Sequence, residues 1–191
     1  MVAAQYFEHS TYIDWQHDTV AGLATRLAEG LTEDSAIAKA CFEWVRDSIR
    51  HSVDYQLNPV TCKASDVLKH RTGYCYAKSH LLAALLRANE LAAGLCYQRL
   101  SLEGRGAPYC LHGLNAVYLS GIGWYRIDAR GNTSTVNAQF DPPREQLAFS
   151  LQSLGEREVP GIYSEPLPGV IRTLTSCRTW QTAYSCLPDL E

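Results

Sequence analysis

Apolar residues recur at helical spacing through the first half of the chain and at strand spacing through the middle. The first 18 residues carry neither period and read as irregular or extended. Asp18 is placed to cap a helix over 19–28 that Gly30 stops. Thr32 is placed to cap a second helix over 33–50, in which Ile37, Cys41, Trp44, Val45 and Ile49 fall on one face. Asn58-Pro59 breaks the following polar loop, and Ser65 opens a short helix over 65–70. A glycine turn at Gly73 then leads into a strongly apolar helix that starts at Cys75, runs through Leu81-Leu82-Ala83-Ala84-Leu85-Leu86 and ends near 91.

After Gly94 the period shortens. Residues 95–102, 111–119 and 124–129 read as strands, joined by a turn at 104–108 and by a hairpin turn at Ser120-Gly121-Ile122-Gly123. Beyond them Asp141-Pro142-Pro143 and prolines 160, 166 and 168 mark a loop-rich stretch, with a last helix over 174–186 packing back on the core. Helices first and an antiparallel sheet afterwards is an α+β pattern. The expectation is one domain over 1–191, with its core at about 35–132 and a C-terminal extension over 133–191.

Composition narrows the function classes. Of 191 residues, 46% are hydrophobic and 19% charged, which suits a packed domain rather than a disordered chain. A net charge of -3 gives no electrostatic footing for a nucleic-acid partner. No apolar run approaches the roughly 20 residues of a membrane span, so no membrane association is expected. The start, Met1-Val2-Ala3-Ala4-Gln5-Tyr6, lacks the basic and apolar regions of an export signal, so the expectation is cytoplasmic. Seven scattered cysteines, an odd number with no C-x-x-C pair, then read as free thiols rather than a disulfide framework.

One of these thiols has a special setting. In Arg71-Thr72-Gly73-Tyr74-Cys75-Tyr76-Ala77-Lys78 the cysteine falls in the first turn of a helix, where unpaired N–H groups and the positive dipole end favour thiolate. Downstream, His112 lies on a strand where His112, Leu114, Ala116 and Tyr118 share one face and Leu111, Gly113, Asn115 and Val117 the other. Small Gly113 permits close backbone approach. Asp128 ends the next strand of the hairpin, where it can sit beside His112 and fix its tautomer. Taken singly, each has a plain structural reading: a buried thiol, a hydrogen-bonded core histidine, a turn-forming aspartate. Together, in this order, they suggest a cysteine nucleophile with its base and orienting acid.

The same residues carry a family resemblance. Phe42-Glu43-Trp44-Val45-Arg46-Asp47-Ser48-Ile49-Arg50, Ala64-Ser65-Asp66-Val67-Leu68, Gly73-Tyr74-Cys75, Leu85-Leu86-Arg87-Ala88-Asn89, His112 and the strand from Gly123-Trp124 to Asp128 follow one another as in the transglutaminase-like superfamily of cysteine enzymes. The chain resembles its bacterial members over about residues 35–132. It departs from them after the histidine, where Leu114-Asn115-Ala116 replaces the usual aromatic and acidic residues, and after the nucleophile helix, where Asn89-Glu90-Leu91-Ala92-Ala93 replaces a glycine-proline turn.

The resemblance implies a papain-like, transglutaminase-core fold and acyl chemistry through a thioester on Cys75, with His112 and Asp128 assisting. It implies no metal or organic cofactor. The substrate would be a peptide, a protein or a small amide, and the resolving step either hydrolysis or transfer, with peptidase or amidase hydrolysis preferred. Transglutaminase or other acyltransfer is the alternative, including the arylamine N-acetyltransferase type, and a non-catalytic binding module that keeps the fold is a third. One oxyanion donor would be the Cys75 N–H; His51, Tyr55 and Gln56 are candidates for the second.

Weaker constellations carry less. Cys110-Leu111-His112, and Cys75 with His80, lack the spacing of a zinc site. His80 also lies about 140° around the helix from Cys75. Arg87 and Arg99 read as surface residues, and Arg130 and Asn132 as turn or cleft-rim residues.

Overall fold

The structure, a computed structural model, describes residues 2–190. After a short 3-10 turn at Ala4–Tyr6, helices α1 (Asp18–Ala28) and α2 (Asp34–Ser48) pack against each other. A two-residue strand β1 (Arg50–His51), helix α3 (Ala64–His70), a second two-residue strand β2 (Thr72–Gly73) and helix α4 (Cys75–Ala88) follow. Strands β3 (Ala93–Ser101), β4 (Tyr109–Leu119) and β5 (Gly123–Ile127) come next, then a small hairpin of β6 (Gln139–Asp141) and β7 (Arg144–Gln146). Strand β8 (Arg157–Tyr163) and helices α5 (Pro168–Ser176) and α6 (Trp180–Tyr184) complete the order.

Helix α4 organises the whole. Residues Cys75 to Arg87 are buried all round, which demands partners on every side. Helices α1, α2 and α3 pack around it, with β4 and β3 on the remaining side. The four-stranded antiparallel sheet has the order β5-β4-β3-β8. Asn115, on the face of β4 turned to the helix, fixes the contact by donating to Ser79 O at 2.9 Å. The opposite face buries Leu114 and Ala116 with Cys96, against Trp124, Leu147 and Ile162. Leu114 and Ala116, where the chain departs from the family pattern after the histidine, are therefore sheet packing.

Several local expectations are corrected. The α1 cap is His17, whose ring accepts from Thr19 N, rather than Asp18. Helix α2 follows Glu33 with no side-chain cap, so Thr32 does not cap it. Asp14, distant in sequence, orders the start of α3 by accepting from Ser65 N at 3.0 Å and Ser65 Oγ at 2.5 Å. The turn before the cysteine is made by Arg71, left-handed at φ 55, and not by Gly73. Gly73 is needed for space: a Cβ there would meet Ala77 Cβ at 3.1 Å and Thr61 Oγ1 at 3.2 Å. The expected last helix is two helices, α5 beginning at Pro168 and α6 held by a Thr179–Thr182 capping box.

Arg87 is corrected most sharply. It is 2% exposed rather than a surface residue. Its guanidinium donates to Ala93 O from Nε at 3.1 Å and Nη2 at 2.9 Å, to Glu8 O at 2.8 Å and to Ser164 O at 2.7 Å. One buried cation thus ties the end of α4 to the start of β3, the N-terminal segment and the chain after β8. Arg87→Ala would strand the buried Ala93 carbonyl and two part-buried ones and open a cavity, and is expected to cost about 3 kcal/mol in urea unfolding. Arg87→Lys, lacking the planar fork, should recover less than half. A loss below about 1 kcal/mol for the alanine variant would remove Arg87 from this role.

Candidate active site

Three elements meet at the start of α4. The first residue of that helix is Cys75, whose N–H has no intrahelical acceptor. Its sulfur lies against the backbone of β4, where Gly113 N–H points at Sγ at 3.4 Å. A Cβ on Gly113 would meet Tyr76 Cα at 3.1 Å and Tyr76 N at 3.3 Å, so only glycine allows this approach. Tyr76 Oη donates to Leu111 O and secures the contact from the helix side.

His112, next to Gly113, is close enough to hydrogen-bond the Cys75 sulfur. Its Nε2 donates to Asp128 Oδ2 at 2.7 Å. The β4–β5 hairpin brings the two together, and Asp128 falls just past the end of β5. Asp128 is buried and also accepts from Ala148 N at 3.0 Å and Arg130 N at 3.1 Å, so its carboxylate is held from three sides. Phe149 stacks edge-on against the imidazole, ring centroids 5.0 Å apart.

The electrostatics separate Cys75 from other thiols. Burial alone would raise it, but the charge and hydrogen bond of His112, and then those of His51, outweigh burial and hold it down at about 6. Cys41, Cys62, Cys96 and Cys110 are raised to about 12, chiefly by burial. Burial would lower His112, but the Asp128 carboxylate and the Cys75 sulfur raise it to about 10. Asp128 is held below the usual carboxylate range because His112 and the backbone N–H bonds outweigh its burial. A thiolate beside an imidazolium is the favoured state, and such a pair can attack a carbonyl and protonate a leaving group.

The three expected candidates for a second oxyanion donor separate. His51 is buried, lines the cleft over the sulfur and stacks edge-on with Tyr74 at 5.7 Å. It is brought there by the parallel pairing of β1 with β2, in which His51 is opposite Gly73 and Ser52 N donates to Gly73 O at 3.1 Å. Tyr55 is 57% exposed beneath the Arg50 guanidinium, and Gln56 is an exposed left-handed turn residue at φ 53. Neither lines the cleft that holds Cys75. His80 turns away from the sulfur, its Nδ1 2.7 Å from Cys62 O.

Reading the sequence missed Asp54 and Lys78, and gave Arg130 too small a part. Arg130 forks onto Asp54, Nη1 to Oδ2 at 2.6 Å and Nη2 to Oδ1 at 2.8 Å. Buried Lys78 donates to Ile49 O and to Arg46 O, fastening the first turn of α4 to the end of α2 just before His51. Its position one turn past Cys75 was the only sequence signal for it.

The cleft over the sulfur has a volume of about 510 Å³. Tyr74, Leu111, Phe149, Tyr184 and Leu187 give it apolar walls, and Ser101, Ser150 and Gln152 add polar ones. Among the described residues no group of three or more His, Cys, Asp or Glu side chains is arranged to hold a metal ion. Nor is any helix among them long and apolar enough to cross a membrane.

The family model for the transglutaminase-like superfamily matches residues 21–129, more than half of the chain. The chain belongs to this superfamily. No curated protein matches it. Among solved structures, a candidate cysteine protease from Cytophaga hutchinsonii is similar at 22% identity and a TM-score of 0.51, over 65% of this chain and 40% of that one. The periplasmic domain of TgpA from Pseudomonas aeruginosa is similar at 18% identity and a TM-score of 0.48, over 65% of this chain and 45% of that one. This superfamily member thus spans less than half the length of either. The Cytophaga likeness bears on the fold alone, which is the expected α+β arrangement of helices followed by an antiparallel sheet.

Proposed function

We propose that this protein is a cysteine hydrolase that cleaves an amide or related acyl bond through a thioester on Cys75. The Cys75 thiolate attacks the carbonyl, and the Cys75 N–H and His51 receive the developing oxyanion. The His112 imidazolium gives its proton to the leaving amine. Neutral His112 then takes a proton from water, which attacks the thioester and releases the acid. Asp128 orients His112 and balances its charge throughout.

The observation that carries this reading is the grouping of Cys75, His112 and Asp128 at one cleft, with 2.7 Å between imidazole and carboxylate and the sulfur set against the β4 backbone beside His112; the lowering of the Cys75 thiol by His112 supports it. A binding module has no use for a lowered thiol. Hydrolysis is preferred over transfer because the cleft over the sulfur opens to solvent: Leu102, Tyr184, Ser150 and Gln152 on its walls are all exposed, an arrangement that favours water as the group that resolves the thioester. The apolar walls favour a peptide or amide with a bulky apolar group beside the scissile bond.

The test is direct capture. The protein is incubated with a mixed peptide pool, quenched in acid and digested, and Cys-containing peptides are weighed by mass spectrometry. An acyl adduct on the Cys75 peptide, lost on treatment with hydroxylamine, is the expected result. Adducts spread evenly over the seven cysteines, or none on Cys75 while substrate is consumed, would overturn the assignment.

A further inference from the structure

A second carboxylate–imidazole pair, His51 and Asp54, stands beside the cleft that holds Cys75 and His112. His51 Nδ1 is buried without a hydrogen-bond partner, and Asp54 Oδ1 faces it at 3.5 Å. Asp54 is fixed by the bidentate fork of Arg130. Burial would raise the Asp54 carboxyl, but His51 and Arg130 together hold it well below the usual range, so it faces the ring as an anion. Arg130 reaches both pairs: its side chain grips Asp54, and its backbone N–H donates to Asp128 Oδ1 at 3.1 Å. Its guanidinium also lies over the ring of Phe149, at 5.5 Å, and Phe149 in turn packs on His112.

Proton placement follows from what each side of the His51 ring meets. A carboxylate facing Nδ1 requires a hydrogen on that nitrogen. The other side of the ring serves the sulfur, whose ionisation His51 favours by both charge and hydrogen bond. A ring that donates from Nε2 as well would carry hydrogen on both nitrogens, a state that an adjacent carboxylate favours. His112 already supplies the base, which leaves His51 free to act as a donor. We propose that Asp54, clamped by Arg130, is a positioning residue that holds the His51 ring so that one N–H turns to the oxyanion formed when Cys75 attacks. The inference rests on the thioester chemistry above and adds to it two residues that act through His51.

Two probes of one sulfur separate this role from a merely structural one. p-Nitrophenyl acetate acetylates Cys75 through a tetrahedral oxyanion and expels p-nitrophenolate. Iodoacetamide alkylates it by displacing iodide and forms no oxyanion. Both rates are measured at about pH 8.5, so that the thiol stays ionised in every variant. His51→Ala is expected to slow acetylation roughly a hundredfold, and Asp54→Asn or Arg130→Gln roughly tenfold, with alkylation changed less than about twofold. In the His51→Ala background, Asp54→Asn should add no further loss. Parallel losses in acetylation and alkylation, or an equal loss from Asp54→Asn with and without His51, would overturn the relay while leaving the thioester reading in place. If Cys75 of the unaltered protein alkylates no faster than the other six thiols, the thioester reading itself falls. Arg130→Gln leaves Asp54 present, so the comparison stands even if Asp54→Asn does not fold.

Discussion

Cys75→Ala is expected to lower acyl transfer to water by about ten-thousandfold while the fold persists. The first half of that expectation rests on chemistry. The proposed mechanism has one nucleophile, and no other thiol shares its setting: four are pushed up to about 12 by burial. The second half rests on packing. Sγ is the only heavy atom removed, its backbone donor Gly113 N–H makes only a weak bond to sulfur, and the His112–Asp128 bond at 2.7 Å does not depend on it. A buried thiolate is also costly to hold, so its loss offsets part of the packing deficit. Circular dichroism melts of the two proteins should agree within a few degrees, corresponding to about 1 kcal/mol. Cys75→Ser should not rescue activity, because a hydroxyl does not ionise beside imidazole as a thiol does. Hydrolysis of a captured substrate at equal rates by the unaltered protein and Cys75→Ala would end the proposal.

The parts of this site that can be read from sequence lie on long, strongly patterned elements. The apolar run after Cys75 marks α4, and the β4–β5 hairpin follows from alternation and a glycine turn, so Cys75, His112 and Asp128 are found together with Gly113. The second half of the site hangs on β1 and β2, two residues each, too short for any period to show. His51 could therefore be named only alongside Tyr55 and Gln56. Asp54 and Arg130, 76 positions apart, are joined by an ion pair that no local pattern announces. Strand β8 was hidden for a different reason. It is an edge strand with Pro160 and Gly161 inside it and no fully buried residue, so it lacks an alternating face. Pro168 misled in the same way, since a proline that marks loops elsewhere is here the first residue of α5. Arg87 shows that charge alone does not put a residue at the surface when backbone carbonyls surround the guanidinium.

His112→Ala is expected to cost about a thousandfold or more, and the pH profile of the unaltered protein should show why. The Cys75 thiol is lowered to about 6, so thiolate appears as pH rises through that value rather than near the ordinary thiol range. His112 is raised to about 10, so its imidazolium persists until pH climbs past that value. The two signs together define a window. Below about 6 the nucleophile is protonated; above about 10 the acid that must protonate a leaving amine is gone. Amide cleavage should therefore rise through the lower limit and fall through the upper one. Iodoacetamide labelling of Cys75 needs only thiolate and should rise through the lower limit without the upper fall. Replacing His112 by Ala removes the main opposite charge while the sulfur stays buried, so the labelling profile should move to higher pH, and the amide profile should lose its upper limit along with most of its rate. Asp128→Asn keeps the imidazole but replaces its anion with an amide, which lowers the upper limit and leaves an intermediate rate. A labelling profile for Cys75 that midpoints with an ordinary thiol, and does not move in His112→Ala, would show that the imidazole and the sulfur do not act as a pair.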